Sequence, residues 1–162
     1  MQLIVNISAK EAAMLNIKKI LCAVDLSEHS RMVAEYAVTL AKAFDAEITI
    51  LYTAPSLSQY VGFHVPPSSI ENFVGEIVTG AEQSMDEFIS EVFTDPSVKV
   101  EGKILSGYAA QEIIGYSNTN DIDIIVMGTH GRTGIDRMLF GSVAEKVVKT
   151  ATVPVMTIRP KA

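Results

Sequence analysis

The segment Ile122–Ser142, IDIIVMGTHGRTGIDRMLFGS, carries the reading of the whole chain. Its apolar opening, Ile122 to Met127, predicts a buried strand that empties into Gly128. Gly131 follows after two residues, and Gly141 and Ser142 come nine residues later, at the start of a predicted helix from Val143 to Thr150. Each residue type has a physical use in such a place. Glycine lets the backbone adopt positive φ and approach a ligand with no Cβ in the way. The unpaired N–H groups and positive dipole end of a helix attract an anion. Ser142 adds a hydroxyl donor or caps the helix. Strand, glycine loop and helix in this order read as a phosphate cradle, with a mere turn and cap set as the competing reading.

Outward from this segment, strand-like apolar runs alternate with amphipathic helical runs, the pattern of parallel strands joined by helical crossovers. The strands are expected at Lys19–Asp25, Glu47–Thr53, Lys99–Leu105, Ile122–Met127 and Val153–Arg159. The first two are continuous apolar runs, as befits a parallel sheet covered on both faces. Pro154 gives the last one an edge or first-residue character. Helices are expected at 28–44, 70–92, 108–118 and 143–150, and 54–69, APSLSQYVGFHVPPSS, as a long loop. The class is α/β, an open doubly wound five-stranded parallel sheet, whose ligand site belongs at the carboxyl ends of the strands where the strand order reverses.

The chain has 162 residues, 48% of them hydrophobic, enough for one domain with a substantial core. Residues 1–15 read as an N-terminal extension and 16–162 as the domain. A net charge of −6 and a pI near 5.0 argue against nucleic acid and anionic membrane surfaces as partners. Positive charge is expected to gather near the glycine loop from Lys18, Lys19, Arg132, Arg137, Lys146 and Lys149. The single Cys22, inside an apolar run, forms no intramolecular disulfide and suits a reducing cytoplasm. No apolar stretch reaches the roughly 18 residues of a membrane span.

The pattern Gly128-x2-Gly131-x9-Gly141-Ser142 resembles the nucleotide-binding signature of the universal stress protein family, in its ATP-binding branch. KKILCAVDLSEHS (residues 18–30) and TATVPVMTIRP (residues 150–160) are similar to that family's opening and closing strands, so the resemblance covers nearly the whole chain. It implies the strand order 3-2-1-4-5 and ATP or a related adenine nucleotide as ligand, with Mg or Mn carried by the phosphates. It further implies that Asp25 holds the ribose region and that backbone around Ala23, Thr53 and Met127 borders the adenine. Gly128, Gly131, Gly141, Ser142 and Val143 then cradle the phosphates, with Arg132 a candidate to neutralise them. A homodimer through strand five, Val153 to Arg159, is implied as well.

Asp25 has a competing reading as a helix cap or turn residue in DLSEHS. His29, His64 and His130 lack the spacing of a metal site and read as ordinary residues. The sequence has no Gly-x4-Gly-Lys-Ser/Thr loop, no kinase-type catalytic loop and no evident nucleophile-histidine-acid set. Three functions stay open: a nucleotide-dependent regulator or sensor in stress response, with slow hydrolysis possible; a nucleotide-using enzyme of the same superfamily; and a nucleotide-free dimeric scaffold.

Overall fold

The computed structural model describes residues 16–56, 67–129 and 141–159. Five parallel strands, β1 (Lys19–Ala23), β2 (Glu47–Ala54), β3 (Val100–Ser106), β4 (Ile124–Gly128) and β5 (Val155–Ile158), form one sheet in the order β3-β2-β1-β4-β5. This is the doubly wound arrangement expected from the alternation, with the order that the family resemblance implies. Four helices connect the strands: α1 (Ser30–Phe44), α2 (Pro67–Val92), α3 (Ala109–Thr119) and α4 (Ser142–Thr150).

Strand side chains alternate between faces, so a strand that is apolar at every position supplies two cores. In β1, Ile20 and Cys22 face α1 and α2, where they pack with Val33, Ala34, Ala37, Ala41 and Met85. Leu21 and Ala23 face α3 and α4 with Ile113, Ala144 and Val147. β4 divides the same way, Val126 to the first core and Ile125 and Met127 to the second. The alanines of α1 let that helix lie close against the sheet. Cys22 is wholly buried there, and burial pushes its thiol pKa up to about 12.

The amino end of the sheet is tied by Asp123, whose Oδ2 accepts the backbone N–H of Lys18 at 2.7 Å and of Lys19 at 2.8 Å. It thereby pins the start of β1 to the start of β4. Several boundaries differ from the sequence expectations for identifiable reasons. α2 begins at Pro67 rather than residue 70, since proline is suited to a helix's first turn, where its missing N–H costs nothing. β5 begins after Pro154, which cannot donate to the ladder but whose carbonyl still accepts the N–H of Ile125 at 3.0 Å. β1 ends at Ala23 rather than Asp25, although Val24 continues the contact by donating to the Leu51 carbonyl.

Candidate functional site

In this order β1 and β4 are neighbours, yet the chain leaves β1 toward β2 and leaves β4 toward β5. The connections diverge and leave a crevice beyond the carboxyl ends of the two strands. The register aligns Ala23 with Leu51 on one side and with Met127 on the other, which levels the ends of β2, β1 and β4. A cleft of about 240 Å³ opens there. That is close to the lower end of ligand-pocket volumes, about 300 Å³.

One part of the cleft is apolar. Ala23, Leu51 and Met127 form its floor, Val33 comes from α1, and Ala109 and Ile113 come from α3. The presence of α3 follows from its spacing, because residues 109 and 113 stand one helical turn apart on the face toward the sheet. Thr53, on the same face of β2 as Leu51, brings a hydroxyl to this wall.

The other part is built by Gly128 and Thr129 at the end of β4 and by the residues from Gly141 onward. Thr129 donates its N–H to the Ile158 carbonyl at 2.9 Å, prolonging the β4–β5 ladder, and its own carbonyl accepts the Gly141 N–H at 2.7 Å. That bond sets the N-terminus of α4 against the end of β4, so that Gly128, Gly141, Ser142, Val143 and Ala144 line the cleft. Gly141 is the extended cap residue, φ −72° and ψ 154°, and as a glycine it has no side chain to cap the helix. The first intrahelical donor is the N–H of Glu145, which reaches the Gly141 carbonyl at 2.9 Å. Helix geometry therefore places the N–H groups of Ser142, Val143 and Ala144 in the first turn, ahead of the first intrahelical bond to Gly141. The N–H of Gly141 is committed to the Thr129 carbonyl, so this residue lines the cleft with its donor already bonded. Ser142 is the first helical residue and not the cap.

Asp25 faces the same cleft from the loop after β1. Its Oδ1 accepts the Ser27 N–H at 3.0 Å, the Ser27 hydroxyl at 2.6 Å and the Ser30 hydroxyl at 2.9 Å. The two readings of this residue thus coexist, for it is a turn residue and a cleft residue at once. It does not cap α1, whose cap is His29 without a side-chain bond.

Of the residues singled out from sequence, Ala23, Asp25, Thr53, Met127, Gly128, Gly141, Ser142 and Val143 meet in this cleft. Gly131 and Arg132 lie outside the described residues, as do His64, His130 and Arg137. His29, for which the sequence offers no ligand role, lines the cleft at the start of α1. One expectation is corrected. Lys18 and Lys19 stand at the opposite end of the sheet, where their ammonium groups bond the carbonyls of Phe44 and Asp45 and of Asn120, so they add no charge to the cleft. The lysine of α4's last turn, Lys149, is paired with Glu145.

Among the described residues no group of three or more His, Cys, Asp or Glu is placed to hold a metal ion. No helix among them is long and apolar enough to cross a membrane.

Residues 16–159 match the model of the universal stress protein family. Universal stress protein MJ0531 of Methanocaldococcus jannaschii is 34% identical over 142 residues, covering 88% of this chain and 82% of the relative. The solved universal stress protein UspA from Lactobacillus plantarum superposes with a TM-score of 0.78 at 25% identity, over 89% of this chain and 99% of the other. A universal stress protein from Archaeoglobus fulgidus, solved in complex with dAMP, shares the fold with a TM-score of 0.63 at 19% identity, over 90% of this chain and 99% of that one. With its five-stranded parallel sheet, its cleft between β1 and β4 and these likenesses, the chain belongs to the universal stress protein family.

Proposed function

We propose that this protein binds an adenine nucleotide, ATP foremost, in the cleft between β1 and β4, and acts as a nucleotide-dependent regulator or sensor in stress response. The observation that carries the reading is the cleft's division into an apolar slot and a helix N-terminus. The slot between Ala23, Leu51, Met127 and Ile113 suits a flat purine, with Thr53 and nearby backbone groups at its polar edge. The N–H groups of Ser142, Val143 and Ala144 and the dipole of α4 suit phosphate. Gly128 and Gly141 keep the approach clear of side chains, and Gly131 and Arg132 complete the cradle from the connecting segment. A divalent ion, Mg or Mn, is carried by the phosphates. The family member from Archaeoglobus fulgidus that holds dAMP adds support, since its ligand belongs to the same class.

Regulation is favoured over catalysis by the chemistry of the cleft. Ser30, the serine beside His29, gives its hydroxyl proton to Asp25 and not to an imidazole, so it is not an activated nucleophile. The segment 130–140 joins two cleft-lining residues, Thr129 and Gly141, so occupancy of the cleft is communicated to it directly.

A homodimer through β5 belongs to the same proposal. The two edges of the sheet are unlike. β3 carries the exposed charged residues Glu101 and Lys103, which discourage pairing, whereas β5, VMTI, carries none. Sedimentation equilibrium should give twice the chain mass of 17.5 kDa; a monomer at micromolar concentration refutes the dimer.

The nucleotide reading is tested by identifying any nucleotide released from freshly purified protein, then titrating Mg-ATP into the stripped protein by calorimetry. Saturable binding at one site per chain, lost when Gly131 and Ser142 are both substituted, is expected. Absence of both bound nucleotide and binding heat would favour a nucleotide-free scaffold.

A further inference from the structure

We propose that Ser27 and Ser30 are positioning residues, which hold the Asp25 carboxylate in one orientation so that it receives the ribose hydroxyls of the bound nucleotide. The proposal rests on the nucleotide reading above and extends it to Ser27, behind the cleft, and to Ser30, which lines it beside Asp25.

A carboxylate on a loop ordinarily turns about two side-chain torsions, and a ligand that uses it must first stop that motion. Here the motion is stopped in advance. Three donors converge on a single oxygen, Oδ1: the N–H and the hydroxyl of Ser27 and the hydroxyl of Ser30. Ser30 is 3% exposed and is the first residue of α1. Its hydroxyl is therefore fixed by a helix that is itself anchored in the core through Val33, Ala34 and Ala37. The chain reaches this arrangement through Leu26, whose φ of +58° lies in the left-handed region that residues other than glycine rarely occupy. Nor is either serine the cap residue of α1, which is His29, whose side chain makes no capping bond.

The chemistry assigns the ligand's direction. An ionised carboxylate only accepts hydrogen bonds and repels phosphate, so it suits a sugar hydroxyl. The N-terminus of α4, across the cleft, donates and carries positive potential, so it suits phosphate. The sugar thus lies over β1 and the phosphates over α4. Ser27 and Ser30 sharpen this polarity by holding the acceptor still.

The test is a cycle between protein hydroxyl and ligand hydroxyl, read as dissociation constants by calorimetry. Mg-ATP and 2′,3′-dideoxy-ATP are titrated into the wild type, Ser30→Ala, Ser27→Ala, Asp25→Ala and the Asp25→Ala/Ser30→Ala double variant. Removing either serine hydroxyl should weaken ATP by about 3- to 10-fold and leave the dideoxy analogue's affinity unchanged. In the Asp25→Ala background, Ser30→Ala should have no further effect on ATP. Equal weakening of both ligands would show that the serines only support the local fold, and would overturn the proposal while leaving the nucleotide reading intact. Failure of the wild type to bind ATP at all would overturn both. Ser27 is only half-buried, so Ser27→Ala keeps the test decisive if Ser30→Ala does not fold.

Discussion

Ser142→Pro isolates the backbone donor at the head of α4. Proline is favoured at the first helical position because its ring presets φ near −65° and the N–H it lacks has no intrahelical partner there. The preceding residue must be extended, and Gly141 already is, with φ −72° and ψ 154° and no Cβ to meet the ring. The substitution should accordingly change stability by less than about 1 kcal/mol. If the N–H of Ser142 bonds a phosphate oxygen, its removal deletes one hydrogen bond to a charged group, worth about 1.5–3 kcal/mol. At 1.4 kcal/mol per decade this weakens ATP by about 10- to 150-fold. Ser142→Ala removes the hydroxyl alone and separates its share. Calorimetry of Mg-ATP with all three proteins, beside their urea unfolding curves, makes the comparison. Wild-type affinity in a folded Ser142→Pro protein would refute the donor role of the Ser142 N–H.

Other consequences concern the scaffold. Asp123→Ala removes the acceptor shared by the N–H groups of Lys18 and Lys19 and should cost about 2 kcal/mol, lowering the melting temperature by about 4–8 °C; because Asp123 is at the far end of the sheet, ATP affinity should not change. Asp95 has its pKa held well below the ordinary value of 3.8, first by the hydrogen bond from Lys42 and then by those from Ser97. A lowered folded-state pKa contributes stability that is present at neutral pH and is lost as pH falls below the unfolded value. Urea midpoints of the wild type and Asp95→Asn should thus converge below about pH 4, and a constant gap down to pH 2.5 would contradict this. Native Cys22 should resist iodoacetamide at pH 8 and react once unfolded, because it is fully buried with its pKa pushed up to about 12; rapid labelling of the native protein would contradict the core assignment.

Much of this architecture is legible in the sequence because the signals are local. Unbroken apolar strands such as Ile20–Ala23 and Ile124–Met127 mark a sheet covered on both faces, and the diverging connections locate the cleft. What escapes a linear reading depends on register and on hydrogen-bond partners. Leu51 is one apolar residue among several until pairing places it level with Ala23. Ala109 and Ile113 are invisible as cleft residues until α3 is laid over β2 and β1. The commitment of the Gly141 N–H to the Thr129 carbonyl is a tertiary fact. His29 carries no spacing signal and reaches the cleft only because α1 starts beside β1. The DLSEHS run did contain a signal for the Asp25 turn, since aspartate followed by serine two residues on is a frequent side-chain-to-backbone turn. Its double use by turn and cleft needed the fold.

The most direct test of the central claim is an amide NMR titration of stripped protein with Mg-ATP. The account predicts saturable shifts concentrated at residues 23–25, 51–53, 127–129 and 142–144, with little change at Lys18, Lys19 and Asp123. Shifts centred on the amino end of the sheet, or none at millimolar ATP, would contradict it.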